Sequence, residues 1–283
     1  MGRQNAGWYV LSNWIIASNK ELGSGTFGTV SQAVNNRSHA VALKKRVRKC
    51  HRTAQGLSQE IDTLQALTAL ADAHQEPRIL RLADVIYQYG HEEYRNCVPE
   101  DVYLVLDPFL HLTVANLVQR QNLSRQTADW VLRETMMGLK FLHDNGWMHG
   151  DIKPKNIGVQ LQGRSSLDEL GEGARVVLLD LDGSSHLATV LNQRLLPQPG
   201  VGGTVGYLAP ERELEYCSYD SDVWAVGVTG YELRYGSHPW KLAENPWRAD
   251  KPKSLRDEWL LMYESAISVM QKGKSSVKLA GLC

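Results

Sequence analysis

The stretch HGDIKPKN, His149 to Asn156, sets an aspartate, a lysine two residues on and an asparagine three beyond that within one short segment. Asp151 could accept or orient a hydroxyl proton, Lys153 could neutralise a terminal phosphate, and Asn156 could bind Mg²⁺, so one reacting phosphoryl group would have a base, a cation and a metal ligand around it. Three other places carry matching chemistry. In GSGTFGTV, Gly23 to Val30, glycines let backbone N–H groups approach phosphate oxygens with no side chain in the way, and Val30 could cap an adenine. Taken alone, a glycine-rich hairpin explains that stretch equally well. In VALKK, Ala42 could pack on a purine and Lys44 could reach the α- and β-phosphates. A lysine buried there needs a counter-charge, for which Glu60 is the candidate, whereas a lysine at an exposed strand end needs none. Finally, ARVVLLDLDGSS ends an apolar run at Asp180, which is either a ligand for a metal bridging phosphates or a turn former.

The elements that must position these groups can be read from periodicity. Up to about residue 106, the short β-like runs WYVLSNWII, VSQAV, AVALKK and DVYLVLD surround one helical stretch, LSQEIDTLQALTAL, with Leu57, Ile61, Leu64 and Ala71 at helical spacing. From about residue 110 helices dominate. SRQTADWVLRETMMGLKFLHDNG has a capping Ser124, an apolar stripe through Ala128, Val131, Leu132, Leu139 and Leu142, and a stop at Asn145-Gly146. HGDIKPKN then falls on a loop between that helix and the apolar IGV. The polar segment 160–175 reads as an insertion lengthening a hairpin, and a last helix is expected from Ser254, with Asp257 at the reciprocal capping position and Leu255, Trp259, Tyr263, Ile267 and Met270 on one face.

Bulk properties bound the partners. The 283 residues carry 31 Lys+Arg and 31 Asp+Glu, so nothing in the overall charge calls for nucleic acid or an anionic membrane as partner. The 4 cysteines lack paired metal-ligand spacing, and no apolar run approaches the ~20 residues of a membrane span, so an intracellular protein, cytoplasmic or nuclear, is expected. Gly2 invites myristoylation, but Ala6 stands where that pattern wants Ser or Thr.

In order along the chain, these motifs together with GTVGYLAPE (Gly203 to Glu211) and YDSDVWAVGV resemble the eukaryotic protein kinase family, serine/threonine type, over about residues 18 to 240. The resemblance implies an α+β, bilobal protein-kinase-like fold forming a single domain over 1–283. A small β-rich N-lobe would occupy about 1–106, a hinge about 107–109, and a larger, mainly helical C-lobe about 110–283, with Mg-ATP in the cleft between them. It makes Gly23, Gly25, Thr26 and Gly28 the phosphate loop, Lys44 and Glu60 an ion pair, Leu106 the gatekeeper, and Asp107 to Phe109 the adenine contact. Asp151 becomes the catalytic base, Asn156 and Asp180 the Mg²⁺ ligands, Thr204 and Glu211 parts of the peptide-positioning loop, and Asp222 the brace of the catalytic loop.

Four departures from the family pattern stand out. Gly150 replaces the arginine beside Asp151, so activity without loop phosphorylation is expected. The expected D-F-G reads Asp180-Leu181-Asp182-Gly183; Asp180 is taken as the metal ligand, with Asp182 as the alternative or as a group behind it. Gly158 stands where the family places a bulky residue under the adenine, which predicts reduced nucleotide affinity. Only 43 residues (241–283) follow Trp240, so the C-lobe is expected to be shortened.

The expected reaction is transfer of the γ-phosphoryl of Mg-ATP to Ser/Thr hydroxyls of a protein substrate. Two other readings compete: a pseudokinase acting as scaffold or binding module, and a small-molecule phosphotransferase of the aminoglycoside or choline kinase type, which shares HGD and an Asp-x-Asp motif. Against the last stand GTVGYLAPE and DVWAVGV, which in the family build a peptide-docking surface.

Overall fold

The computed structural model describes residues 8–25, 28–47, 51–89, 101–110, 112–119, 123–161, 174–187, 203–204, 206–209 and 218–239. Thr26, Glu211, the interior of the 160–175 insertion and the expected helix from Ser254 lie outside the described residues. The chain divides into two compact units. The first comprises Met1–His111, Gly158–Gln160 and Val177–Asp182, and the second the remainder.

The first unit is built on six antiparallel strands, β1 (Trp8–Leu11), β2 (Trp14–Gly25), β3 (Gly28–Asn35), β4 (Ala40–Val47), β5 (Arg81–Gln88) and β6 (Asp101–Asp107), in the order β1-β2-β3-β4-β6-β5. Strand alternation divides the side chains between two faces. Ile16, Ala33, Val41, Leu43, Tyr103 and Val105 form one buried cluster, edged by Leu11, Trp14 and Ile86. The intervening residues of β4, Ala42, Lys44 and Arg46, stand on the opposite face. Helix α1 (His51–Ala73) buries Glu60, Thr63, Leu64, Leu67 and Ala71. It begins six residues before the stretch that apolar spacing marked out.

The second unit is mainly helical among the described residues, with the short strand β7 (Leu112–Thr113) leading into α2 (Val114–Gln119), then α3 (Arg125–Asp144) and α4 (Tyr219–Tyr235). In α3, the Ser124 side chain caps the Thr127 N–H as expected, and Ala128, Val131, Leu139 and Leu142 are buried. Gly146 ends the helix at φ +82°, a conformation that glycine adopts without strain. The α3 and α4 helices pack together, and Gly230 lets them approach: a Cβ there would lie 3.1 Å from Leu132. Short β8 (Trp147–Met148) pairs with β11 (Ser185–His186) and carries the chain into the HGD loop. A β-rich unit and a mainly helical one are what the resemblance required.

Strands β9 (Ile157–Leu161) and β10 (Ala174–Leu178) are neighbours in a sheet. A Cβ at Gly158 would collide with Leu110 Cδ1 and sit 3.2 Å from Leu179 Cδ1, so the volume that this glycine leaves is already filled. Gly158→Val should cost roughly 1–3 kcal/mol through overpacking. Urea denaturation measures it, and Leu110→Ala in the same chain should recover part of the loss; no loss in the single variant would contradict the packing described.

Candidate active site

In the first unit, the charged face of β4 meets a buried carboxylate. The Glu60 side chain is only 1% exposed, and Lys44 Nζ donates to its Oε1 at 2.8 Å. Lys44 Nζ also donates to Asp180 Oδ1 at 3.1 Å and lies 3.5 Å from Asp182 Oδ2. Arg46, two residues along the same face, contacts Glu60 Oε2 and stands 3.8 Å from Asp182. Burial alone would push the Lys44 ammonium down, but Asp180, Glu60 and Asp182 reverse this and hold it above the usual lysine range. Asp182 is pushed up to about 6, chiefly by burial and then by Asp180 and Glu60, against the pull of Lys44 and Arg46.

Asp180 follows the point at which Leu178 bonds to the turn after α1, with Leu178 N–H donating to Arg78 O at 2.7 Å and Leu80 N–H to Leu178 O at 3.2 Å. It takes φ +56°, and its carboxylate is 39% exposed, while Leu181 beside it is buried. Asp182 is the more buried of the two carboxylates, at 18% exposed, and adds Arg46 to its contact with Lys44.

The same unit holds the residues expected around a nucleotide base. Val30 stands opposite Lys44 and Ala42 opposite Leu106, so these four side chains share one face. Leu106 and Phe109 are buried, and Asp107 Oδ1 lies 2.8 Å from His39 Nε2. Gly25 pairs with Gly28 and Gly23 with Val30, so the glycine stretch lies where the antiparallel strands β2 and β3 meet.

In the second unit, Asp222 near the start of α4 organises the HGD loop. Its carboxylate accepts the N–H of His149 at 2.9 Å and of Gly150 at 2.9 Å, and lies 3.0 Å from His143 Nε2. Burial would raise its pKa, but the His143 hydrogen bond, the charge of His149 and the two backbone donors outweigh that and hold it below the ordinary carboxylate value. Gly150 takes φ +82°, and a Cβ there would approach Gly183 O to 2.8 Å. The absent arginine is thus also a steric matter: the loop as folded has room only for glycine.

The loop presents Asp151, whose carboxylate accepts from Lys153 Nζ at 2.6 Å, Thr204 Oγ1 at 2.6 Å and Asn156 Nδ2 at 3.0 Å. Lys153 Nζ also reaches Thr204 Oγ1 at 2.6 Å. Asn156, in a 3₁₀ turn that Pro154 begins, spends its Nδ2 on Asp151, which leaves the amide oxygen for another partner. Among the described residues, no group of three or more His, Cys, Asp and Glu side chains could hold a metal unaided. The oxygen donors expected for Mg²⁺ are Asp180, with Asp182 as its alternative, in one unit and Asn156 in the other. A Mg²⁺ held by either would complete its shell with phosphate and water oxygens, which suits that ion.

A model of the protein kinase domain matches residues 16–274. The chain belongs to the protein kinase family. Among its relatives, the serine/threonine-protein kinase cst-1 of Caenorhabditis elegans is 26% identical over 225 residues, covering 78% of this chain and 38% of the relative. The serine/threonine-protein kinase hal4 of Schizosaccharomyces pombe is 25% identical over 234 residues, covering 79% and 33%. Mitogen-activated protein kinase 14 of Xenopus laevis is 28% identical over 217 residues, covering 76% and 53%. This kinase-family chain spans about a third to a half of their length.

The kinase-motif residues fall into two groups by unit: Lys44, Glu60 and Asp180 meet in the first, and Asp151, Lys153, Asn156, Thr204 and Asp222 form one connected network in the second. Sequence reasoning missed Arg46, which sat unnoticed in the basic run KKRVRK although its spacing of two from Lys44 puts it on the same strand face. It also missed His143 on Asp222, and a cluster behind Tyr207. The Tyr207 hydroxyl donates to Glu232 Oε1 at 2.6 Å, and the His238 ring stands edge-on to Tyr207 at 5.3 Å, with Nε2 3.7 Å from Glu232. Among the described residues no helix is long and apolar enough to cross a membrane.

Burial pushes His238 down to about 4, against a hydrogen bond at Gly206. The unfolded chain, with histidine near its ordinary 6.5, therefore takes up a proton that the folded chain refuses, and stability falls as pH falls from 6.5 toward 4. Glu232, raised by burial, contributes in the opposite sense. His238→Gln should therefore make the decline of the urea midpoint below pH ~6.5 shallower. Identical slopes in the two proteins would contradict the buried neutral ring.

Proposed function

We propose that this chain is an active protein kinase that transfers the γ-phosphoryl of Mg-ATP to Ser or Thr hydroxyls of a protein substrate. The observation that carries this reading is the Asp151 carboxylate holding a threonine hydroxyl at 2.6 Å with the Lys153 ammonium 2.6 Å from both. A carboxylate that already orients one hydroxyl, with a cation alongside, is suited to orient an acceptor hydroxyl and to offset charge on the phosphoryl group in flight. Lys44, braced by Glu60, supplies a fixed positive charge for the α- and β-phosphates. Asp180 and the amide oxygen of Asn156 are the groups that would hold Mg²⁺, which when bound would supply positive charge against that developing on the phosphates. Val30, Ala42, Leu106 and Phe109 give the purine an apolar lodging, and Gly23, Gly25 and Gly28 give its phosphates backbone N–H groups.

Lys153 and Thr204 favour a serine/threonine acceptor through the family's pattern. Gly150 favours activity without a phosphate on the loop, since no arginine is present there to answer one. Turnover on the order of 1–100 per second is expected for a fully active member.

Lys44→Met and Asp180→Ala should each reduce transfer to a generic basic protein by at least about a thousandfold while circular dichroism and unfolding midpoints stay near those of the parent. Parent-like turnover in either would contradict the proposed roles. A folded parent chain that transfers nothing and fails to bind Mg-ATP would instead favour the binding-module reading.

A further inference from the structure

The charge cluster on β4 contains one more carboxylate than the family motif requires and one cation that the motif does not name. Position 182, where the D-F-G pattern has glycine, carries an aspartate whose Oδ2 lies 3.5 Å from Lys44 and 3.8 Å from Arg46. Arg46 simultaneously contacts the second oxygen of Glu60, whose first oxygen holds Lys44. The side chains are 12% (Lys44), 11% (Arg46), 1% (Glu60) and 18% (Asp182) exposed, so solvent screens these charges poorly. Lys44 faces Glu60, Asp180 and Asp182, and Arg46 faces Glu60 and Asp182, so removing Arg46 takes one positive charge from this cluster.

We propose that Arg46 is a positioning residue that offsets Asp182 and shares Glu60, which keeps the Lys44 ammonium available to nucleotide phosphates. The proposal deepens, and rests on, the kinase reading above. Its physical content is a coupling: the aspartate at 182 is tolerated because an arginine stands two residues along the strand from the phosphate-binding lysine. Losing Arg46 would leave Lys44 held by an excess of negative charge. The same excess would repel a polyphosphate from the face on which it has to bind.

Four full-length proteins test it: the parent, Arg46→Met, Arg46→Lys, and Arg46→Met combined with Asp182→Gly. Steady-state transfer to a generic basic protein should show KM for Mg-ATP raised about tenfold or more in Arg46→Met, with kcat changed less than about threefold. Arg46→Lys should lie closer to the parent, and the double variant should return to within about threefold of it. Independently of transfer, ATP affinity measured by calorimetry should weaken about tenfold or more in Arg46→Met and recover in the double variant. A double variant as impaired as Arg46→Met, Arg46→Lys as impaired as Arg46→Met, or ATP affinity indifferent to Arg46 would each overturn the proposal. A parent chain that binds ATP but transfers no phosphate removes the kinase reading, and the ATP affinities still decide whether Arg46 offsets Asp182; a parent chain that binds no ATP overturns both.

Discussion

A carboxylate buried as an ion must be answered by nearby positive charge or by hydrogen-bond donors, and the functional parts of both units are arranged around that requirement. In the first unit the carboxylate is Glu60. Holding it inside α1 demands cations from the adjacent sheet, and β4 supplies Lys44 and Arg46 on one face. In the second unit it is Asp222, answered by two backbone N–H groups and His143. The first fixes where an ammonium stands; the second fixes the backbone from which Asp151 projects.

The consequence is that the Lys44 ammonium and the Asp151 carboxylate, the groups proposed for phosphoryl transfer, are each held by several partners within their own unit. Fixed charges and dipoles need not reorganise as charge moves, and electrostatic catalysis relies on this property. Gly150 belongs to the same economy: its N–H is one of the donors to Asp222, and its left-handed backbone brings it against Gly183 O, where a side chain has no room. A position that reads in sequence as a lost regulatory arginine reads in the fold as one where the backbone passes too close to Gly183 O for a side chain. The aspartate at 182 is handled differently, by adding a cation on β4 rather than by removing bulk.

Much of this was legible in the sequence because the informative residues sit in local patterns. The cap at Ser124, the stop at Gly146 and the strand alternation of VALKK need only neighbours a few residues apart. The pairing of Lys44 with Glu60 followed from a buried cation needing a counter-charge on the next element. What stayed hidden depends on contacts between distant segments. Leu110 and Gly158 complement each other in volume across a long stretch of chain, and nothing local to either announces it. Arg46 was obscured because a run of basic residues looks uniform until strand alternation assigns its members to faces. The first turns of α1, HRTAQG, carry no apolar periodicity, so the helix extends beyond the only signal that marked it.

The central claim, that Asp151 serves a working transfer centre, is tested most directly by incubating the chain with γ-labelled Mg-ATP and a generic basic protein beside Asp151→Asn, then identifying the labelled residues. Label on serine and threonine with the parent chain, and none with the variant at equal folding and equal ATP binding, is the predicted result. Equal labelling by both proteins, or no labelling by a folded parent chain, would contradict it.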